Sequence, residues 1–118
     1  MYTEPPVFEA TVTARTVAVV LGGEFDVTTE GFLADRLEEI RQIRPCRLTF
    51  EAAQVVFMDC ASARLIAGTG RWLPAGTKPV ISCPSPIVRR VLQASGIGAL
   101  CELELGGGRR DDEAPSPG

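Results

Sequence analysis

The 118-residue chain has room for one domain, and 45% apolar with 23% charged residues is the profile of an ordinary globular protein. A formal net charge of −3 speaks against nonspecific nucleic-acid binding, and the lack of histidine removes the usual general base and the commonest zinc ligand. No apolar run approaches the roughly 20 residues of a membrane span, and Met1 to Pro6 lack a basic, then apolar, leader, so a cytoplasmic protein with no membrane partner is expected.

In chain order, Val7 to Val12 reads as a strand with Phe8, Ala10 and Val12 on one face. Thr16 to Leu21 is a β-branched run suited to a central strand buried on both faces, ended by Gly22-Gly23. A loop through Glu24, Phe25 and Asp26 follows. Thr28 or Thr29 caps a helix to about Arg44, with Leu33, Leu37, Ile40 and Ile43 as its apolar stripe. Glu30 in its first turn and Arg41 and Arg44 in its last suit the helix dipole, and Pro45 stops it.

Arg47–Phe50 and Val55–Phe57 flank a polar kink, Glu51 to Gln54, and read as a strand and its return toward the next helix. Asp59 is a natural N-cap for a helix from Cys60 to about Trp72, weakened at its end by Gly68 and Gly70 and closed by Pro74. Pro79–Cys83 is a short strand. Ser85-Pro86 opens a third helix, on which Ile87, Val88, Val91 and Leu92 are apolar and Gly96 is the stop. A last strand runs from Leu100 to Leu105. Residues 106–118 cannot bury apolar surface and read as a disordered polar tail behind a domain of residues 1–105. The order predicts an α/β fold with a mixed, mostly parallel sheet of four to five strands and helices packed against it.

Four cysteines, at positions 46, 60, 83 and 101, form no Cys-x-x-Cys pair, so reduced, buried thiols are expected and no metal site. Cys83 to Arg89 matches the Cys-x5-Arg spacing of cysteine phosphatases. That chemistry needs a cradle of free backbone N–H groups, however, and Pro84 and Pro86 delete two of them. The scattered arginines, including Arg89-Arg90, read as solvated helix faces. No catalytic group or cofactor is expected.

Three colinear segments resemble the STAS, or anti-sigma factor antagonist, family. They are Gly23-Glu24-Phe25-Asp26, the stretch from Arg47 to Asp59, and the stretch from Ser85 to Ile97, which is similar to the family's Ser-Pro-x-Val-Arg-Arg-x-Leu-x-x-(Ser/Thr)-Gly-Leu pattern. The resemblance covers residues 7 to about 105. It implies a non-enzymatic partner switch, in which the domain binds an anti-sigma factor of the ATP-binding serine kinase type and phosphorylation of a serine at the start of the second helix breaks the complex. A helix N-terminus can hold an added phosphoryl group, whose charge of about −1.5 to −2 then repels an acidic or apolar partner. The partner-binding residues implied are Asp26, Asp59, Cys60, Ala61, Ser62 and Ile66.

The chain departs from that pattern at the switch. Where the family carries Asp-Ser-Ser-Gly or a close variant, this sequence reads Asp59-Cys60-Ala61-Ser62. Cys60 stands at the phosphoacceptor position, and serine kinases do not ordinarily phosphorylate cysteine. Three readings stay open. Cys60 is a small replacement that leaves a permanently binding-competent domain, Ser62 is an alternative phosphoacceptor, or Cys60 is a redox-sensitive thiol. The helix N-terminus stabilises a thiolate while the adjacent Asp59 opposes it. Asp26 has a purely structural reading beside its partner-facing one, because such residues often satisfy loop amides. A different functional class is an accessory or docking subunit of a transport or signalling assembly. Many members of the family carry a final helix after the last strand. Here either that helix is missing, which would leave part of the sheet open and available to a homodimer, or other elements cover it.

Overall fold

The structure, a computed structural model, describes residues 5–105. The expected tail and the first four residues lie outside the described residues. Five strands, β1 (Val7–Thr13), β2 (Thr16–Phe25), β3 (Arg47–Met58), β4 (Val80–Ser82) and β5 (Glu102–Glu104), form one sheet in the order β1-β2-β3-β4-β5. Only β1 is antiparallel to its neighbour. Three helices connect the parallel strands: α1 (Glu30–Ile43), α2 (Cys60–Ala67) and α3 (Pro86–Ser95). Parallel strands that follow in sequence order send every right-handed crossover over one face. The helices accordingly lie side by side, α1 against α2 and α2 against α3.

The core is the seam between that face and the helices. Val17, Val19 and Leu21 of β2 and Leu48, Phe50 and Ala52 of β3 point into it, against Leu33, Leu37 and Ile40 of α1, Ala63 and Ile66 of α2, and Val88 and Leu92 of α3. Each buried Val, Leu, Ile or Phe contributes about 1.5–3 kcal/mol on full burial. The other face is open: Thr16, Ala18, Arg47 and Glu51 are exposed. The expectation that β2 is buried on both faces is therefore corrected. Its residues alternate between core and solvent, as in a sheet covered on one side.

Both central strands are longer than expected. β2 continues through Gly22 and Gly23 to Phe25, and the residues read as a polar kink lie inside one continuous β3. The cause is a pair of register shifts, between Val20 and Gly22 and between Gly23 and Glu24, opposite β3. An extra residue in a ladder keeps the strands paired but breaks the two-residue alternation that a sequence reading relies on. Gly23, at φ +84°, supplies the left-handed backbone the irregularity needs.

Helix ends differ in detail. α2 stops at Ala67, and Gly68–Trp72 form a tighter 3-10 turn where glycines weaken the α-helix. Arg44 ends α1 in the left-handed conformation and Gly96 does the same for α3. Ser85 begins α3, but its hydroxyl does not cap it; Oγ donates instead to the Val55 carbonyl at 2.8 Å, tying the helix to β3.

Candidate functional site

The C-terminal ends of β2 and β3 lie side by side, with Phe25 opposite Met58. The residues that follow each strand, Asp26 and Asp59, are thus brought to one end of the sheet. The Asp59 amide donates to the Phe25 carbonyl at 3.0 Å and closes the ladder there. Asp59 then caps α2: its Oδ1 accepts the Ser62 amide at 2.8 Å, as its place before a helix predicts.

Asp26 works as a loop organiser. Its Oδ1 accepts the Thr28 hydroxyl at 2.6 Å and the Thr28 amide at 2.9 Å, and these bonds hold the carboxyl below its ordinary range. The Asp26 amide donates to the Thr29 hydroxyl oxygen at 2.9 Å, so Thr29 precedes α1 without capping it through its side chain. The structural reading of Asp26 is therefore correct in its geometry.

Cys60 and Ala61 occupy the first two positions of α2, both half-buried at the surface. Ser62 and Ile66, expected among the partner-facing residues, are instead in the core, at 0% and 2% exposure. They share the inward side of α2 with Ala63 and Ala67. The Ser62 hydroxyl is buried without a hydrogen-bond partner, and a kinase could reach it only if the first turn of α2 opened. At the other candidate cysteine, Cys83, the amide donates to the Glu104 carbonyl at 2.8 Å and is not free to cradle an anion. Among the described residues no group of three or more potential ligands could hold a metal ion.

Side chains that the sequence did not single out complete the surface. Val27 (76% exposed) and Phe32 follow Asp26, and Val56 (65%) and Phe57 precede Asp59, all large, apolar and exposed. Val56 and Phe57 are adjacent yet both face solvent, which the irregular register allows. The signal was present as two neighbouring apolar residues in a strand, but without the register shift one of them would belong to the core. Apolar side chains left exposed at the adjoining ends of β2 and β3 offer surface for a protein contact.

This sheet order, the helices on one face and the capped helix beside the β2–α1 loop define a small α/β domain of a known architecture. The chain belongs to the STAS domain family, whose profile matches residues 7–105. It is similar to the anti-sigma factor antagonist SpoIIAA in its unphosphorylated form, with 26% identity, a TM-score of 0.70, and coverage of 90% of this chain and 95% of that one. The Bacillus cell fate determinant SpoIIAA in its phosphorylated form is also 26% identical, with a TM-score of 0.63 over 92% of this chain and 100% of that one. An anti-sigma factor antagonist from Mycobacterium paratuberculosis, 19% identical, shares the fold with a TM-score of 0.77 and 94% coverage of each chain. No curated protein matches the chain at a significant level.

Proposed function

We propose that this chain is an anti-sigma factor antagonist that binds an anti-sigma factor of the ATP-binding serine kinase type, without catalysing a reaction itself. What carries this reading is that Val27, Phe32, Val56 and Phe57 are exposed on the segments adjoining Asp26 and Asp59, in a chain similar to SpoIIAA along most of its length. Apolar residues supply area for docking, and the remaining oxygen of Asp26 and the start of α2 supply polar specificity. Cys60 takes the phosphoacceptor position, so the partner's kinase activity finds no hydroxyl there and the complex persists in the presence of ATP. The protein acts in the cytoplasm with such a partner; no described helix is long and apolar enough to cross a membrane.

The half-buried Cys60 favours a second reading, release of the partner by oxidation of that thiol in place of phosphorylation. Homodimerisation over the open sheet face is weaker, because that face presents mainly small and polar side chains. The test is binding of the full chain to nucleotide-loaded anti-sigma factors of the kinase type. Binding that Val56→Asp weakens at least tenfold supports the proposal, and failure to bind any of them counts against it. Loss of binding on mild peroxide treatment, retained by Cys60→Ala, would favour the thiol switch.

A further inference from the structure

The end of the domain opposite the switch carries a pocket that the partner reading does not use. It has a volume of about 520 Å³ and lies among the β1–β2 turn, the C-terminus of α1 and the segment leading into β4. Its charged lining is cationic throughout, Arg15, Arg41 and Arg44, and the half-buried Trp72 forms one wall. In a chain of net charge −3, this grouping runs against the average composition.

The arrangement is held by the backbone. Arg15 (φ 68°) and Arg44 (φ 56°) both adopt the left-handed conformation, which costs free energy for any residue with a Cβ. Arg15 Nε donates to the Arg44 carbonyl at 2.8 Å, and the Cys46 amide donates to the Arg15 carbonyl at 2.8 Å. That contact uses one of the five N–H donors of Arg15 and leaves its terminal amino groups available. Among the described residues neither Arg15 nor Arg44 has a carboxylate partner, and Arg41 has only a loose contact with Glu38 at 3.5 Å. The C-terminal dipole of α1, worth about half an elementary charge, falls well short of balancing three guanidinium groups.

Forked guanidinium donors match phosphoryl oxygens in geometry and in charge. We propose that this pocket binds a small polyphosphate anion, its phosphoryl oxygens held by Arg15, Arg41 and Arg44 beside the Trp72 indole. The volume falls within the roughly 300–1,000 Å³ typical of small-ligand sites.

Trp72 is the one tryptophan of the chain, so its fluorescence reports on this pocket directly. The full chain is titrated with tripolyphosphate, with ATP, and with sodium chloride at matched ionic strength. The expected result is a saturable change with polyphosphate that chloride does not reproduce. Arg15→Gln and Arg41→Gln each weaken it at least tenfold, while Arg89→Gln on α3 binds as wild type does. Arg41 lies in regular helix, so its variant keeps the fold even if Arg15→Gln does not. Saturation by ATP with tripolyphosphate at least tenfold weaker identifies a nucleotide, and comparable affinities identify a free polyphosphate. No saturation by either, a response that chloride reproduces, or a response that both pocket variants retain would overturn the proposal.

Discussion

Asp59 Oδ1 accepts the Ser62 amide at 2.8 Å, so the residue that follows β3 also fixes the first turn of α2 and with it the orientation of Cys60. Removing such a cap costs about 1 kcal/mol, and an amide in its place retains most of the bond. Asp59→Ala should therefore lower stability by about that amount while Asp59→Asn stays close to wild type. Urea denaturation midpoints check this, and equal midpoints for all three would contradict the capping role.

Asp26 gives the site its pH dependence. The Thr28 hydroxyl, then the Thr28 amide, hold the Asp26 carboxyl below its ordinary value of 3.8. A group whose pKa is lower folded than unfolded stabilises the fold above the unfolded value and loses that contribution as pH falls through the folded one. The stability difference between wild type and Asp26→Ala should be constant above about pH 5 and close at more acid pH. A difference unchanged down to about pH 2 would show that the carboxylate form is not what the turn requires.

The four thiols should separate by reactivity. Burial pushes the Cys101 thiol up to about 11 from an ordinary 9.0, against the opposing charge of Lys78. Cys46, Cys60 and Cys83 are partly exposed. Because the thiolate is the reactive form, alkylation of the native protein at about pH 8 should modify Cys101 roughly a hundredfold more slowly than an ordinary thiol. Peptide mass spectrometry over time reads the order, and early labelling of Cys101 would contradict its burial.

Gly23 at φ +84° sits where β2 and β3 fall out of register, and a Cβ there would meet Pro6 Cα at 3.4 Å. Gly23→Ala should cost about 1–2 kcal/mol, mainly from backbone conformation. Gly31, in regular helix with open space around it, serves as the comparison, because Gly31→Ala should stabilise slightly. Thermal melts of the two variants should move in opposite directions.

The helices were legible because their signals are local. The Leu33, Leu37, Ile40 spacing, the Asp59 cap and the Ser85-Pro86 start each lie within a few residues of the feature they announce. The length of β3 was not legible, since Ala52, Val55 and Met58 enter the core at three-residue intervals that only the register shift with β2 produces. At the site, the Asp59 cap was legible from its residues, whereas a switch at Cys60 came only from the family resemblance. Which side chains of α2 face outward depends on how the helix sits on the sheet, and Ser62 and Ile66 turned out to face the core. The arginine pocket joins three separate segments, so no local pattern announces it.

On the proposed function, Cys60 removes phosphorylation control from the partner switch. The most direct test is phosphate incorporation from ATP, with a cognate anti-sigma kinase acting on wild type and on Cys60→Ser. Wild type should stay unlabelled and bound to the kinase, while Cys60→Ser should be labelled and released. Labelling of the wild type, abolished by Ser62→Ala, would contradict it and require that the first turn of α2 opens to expose a buried hydroxyl.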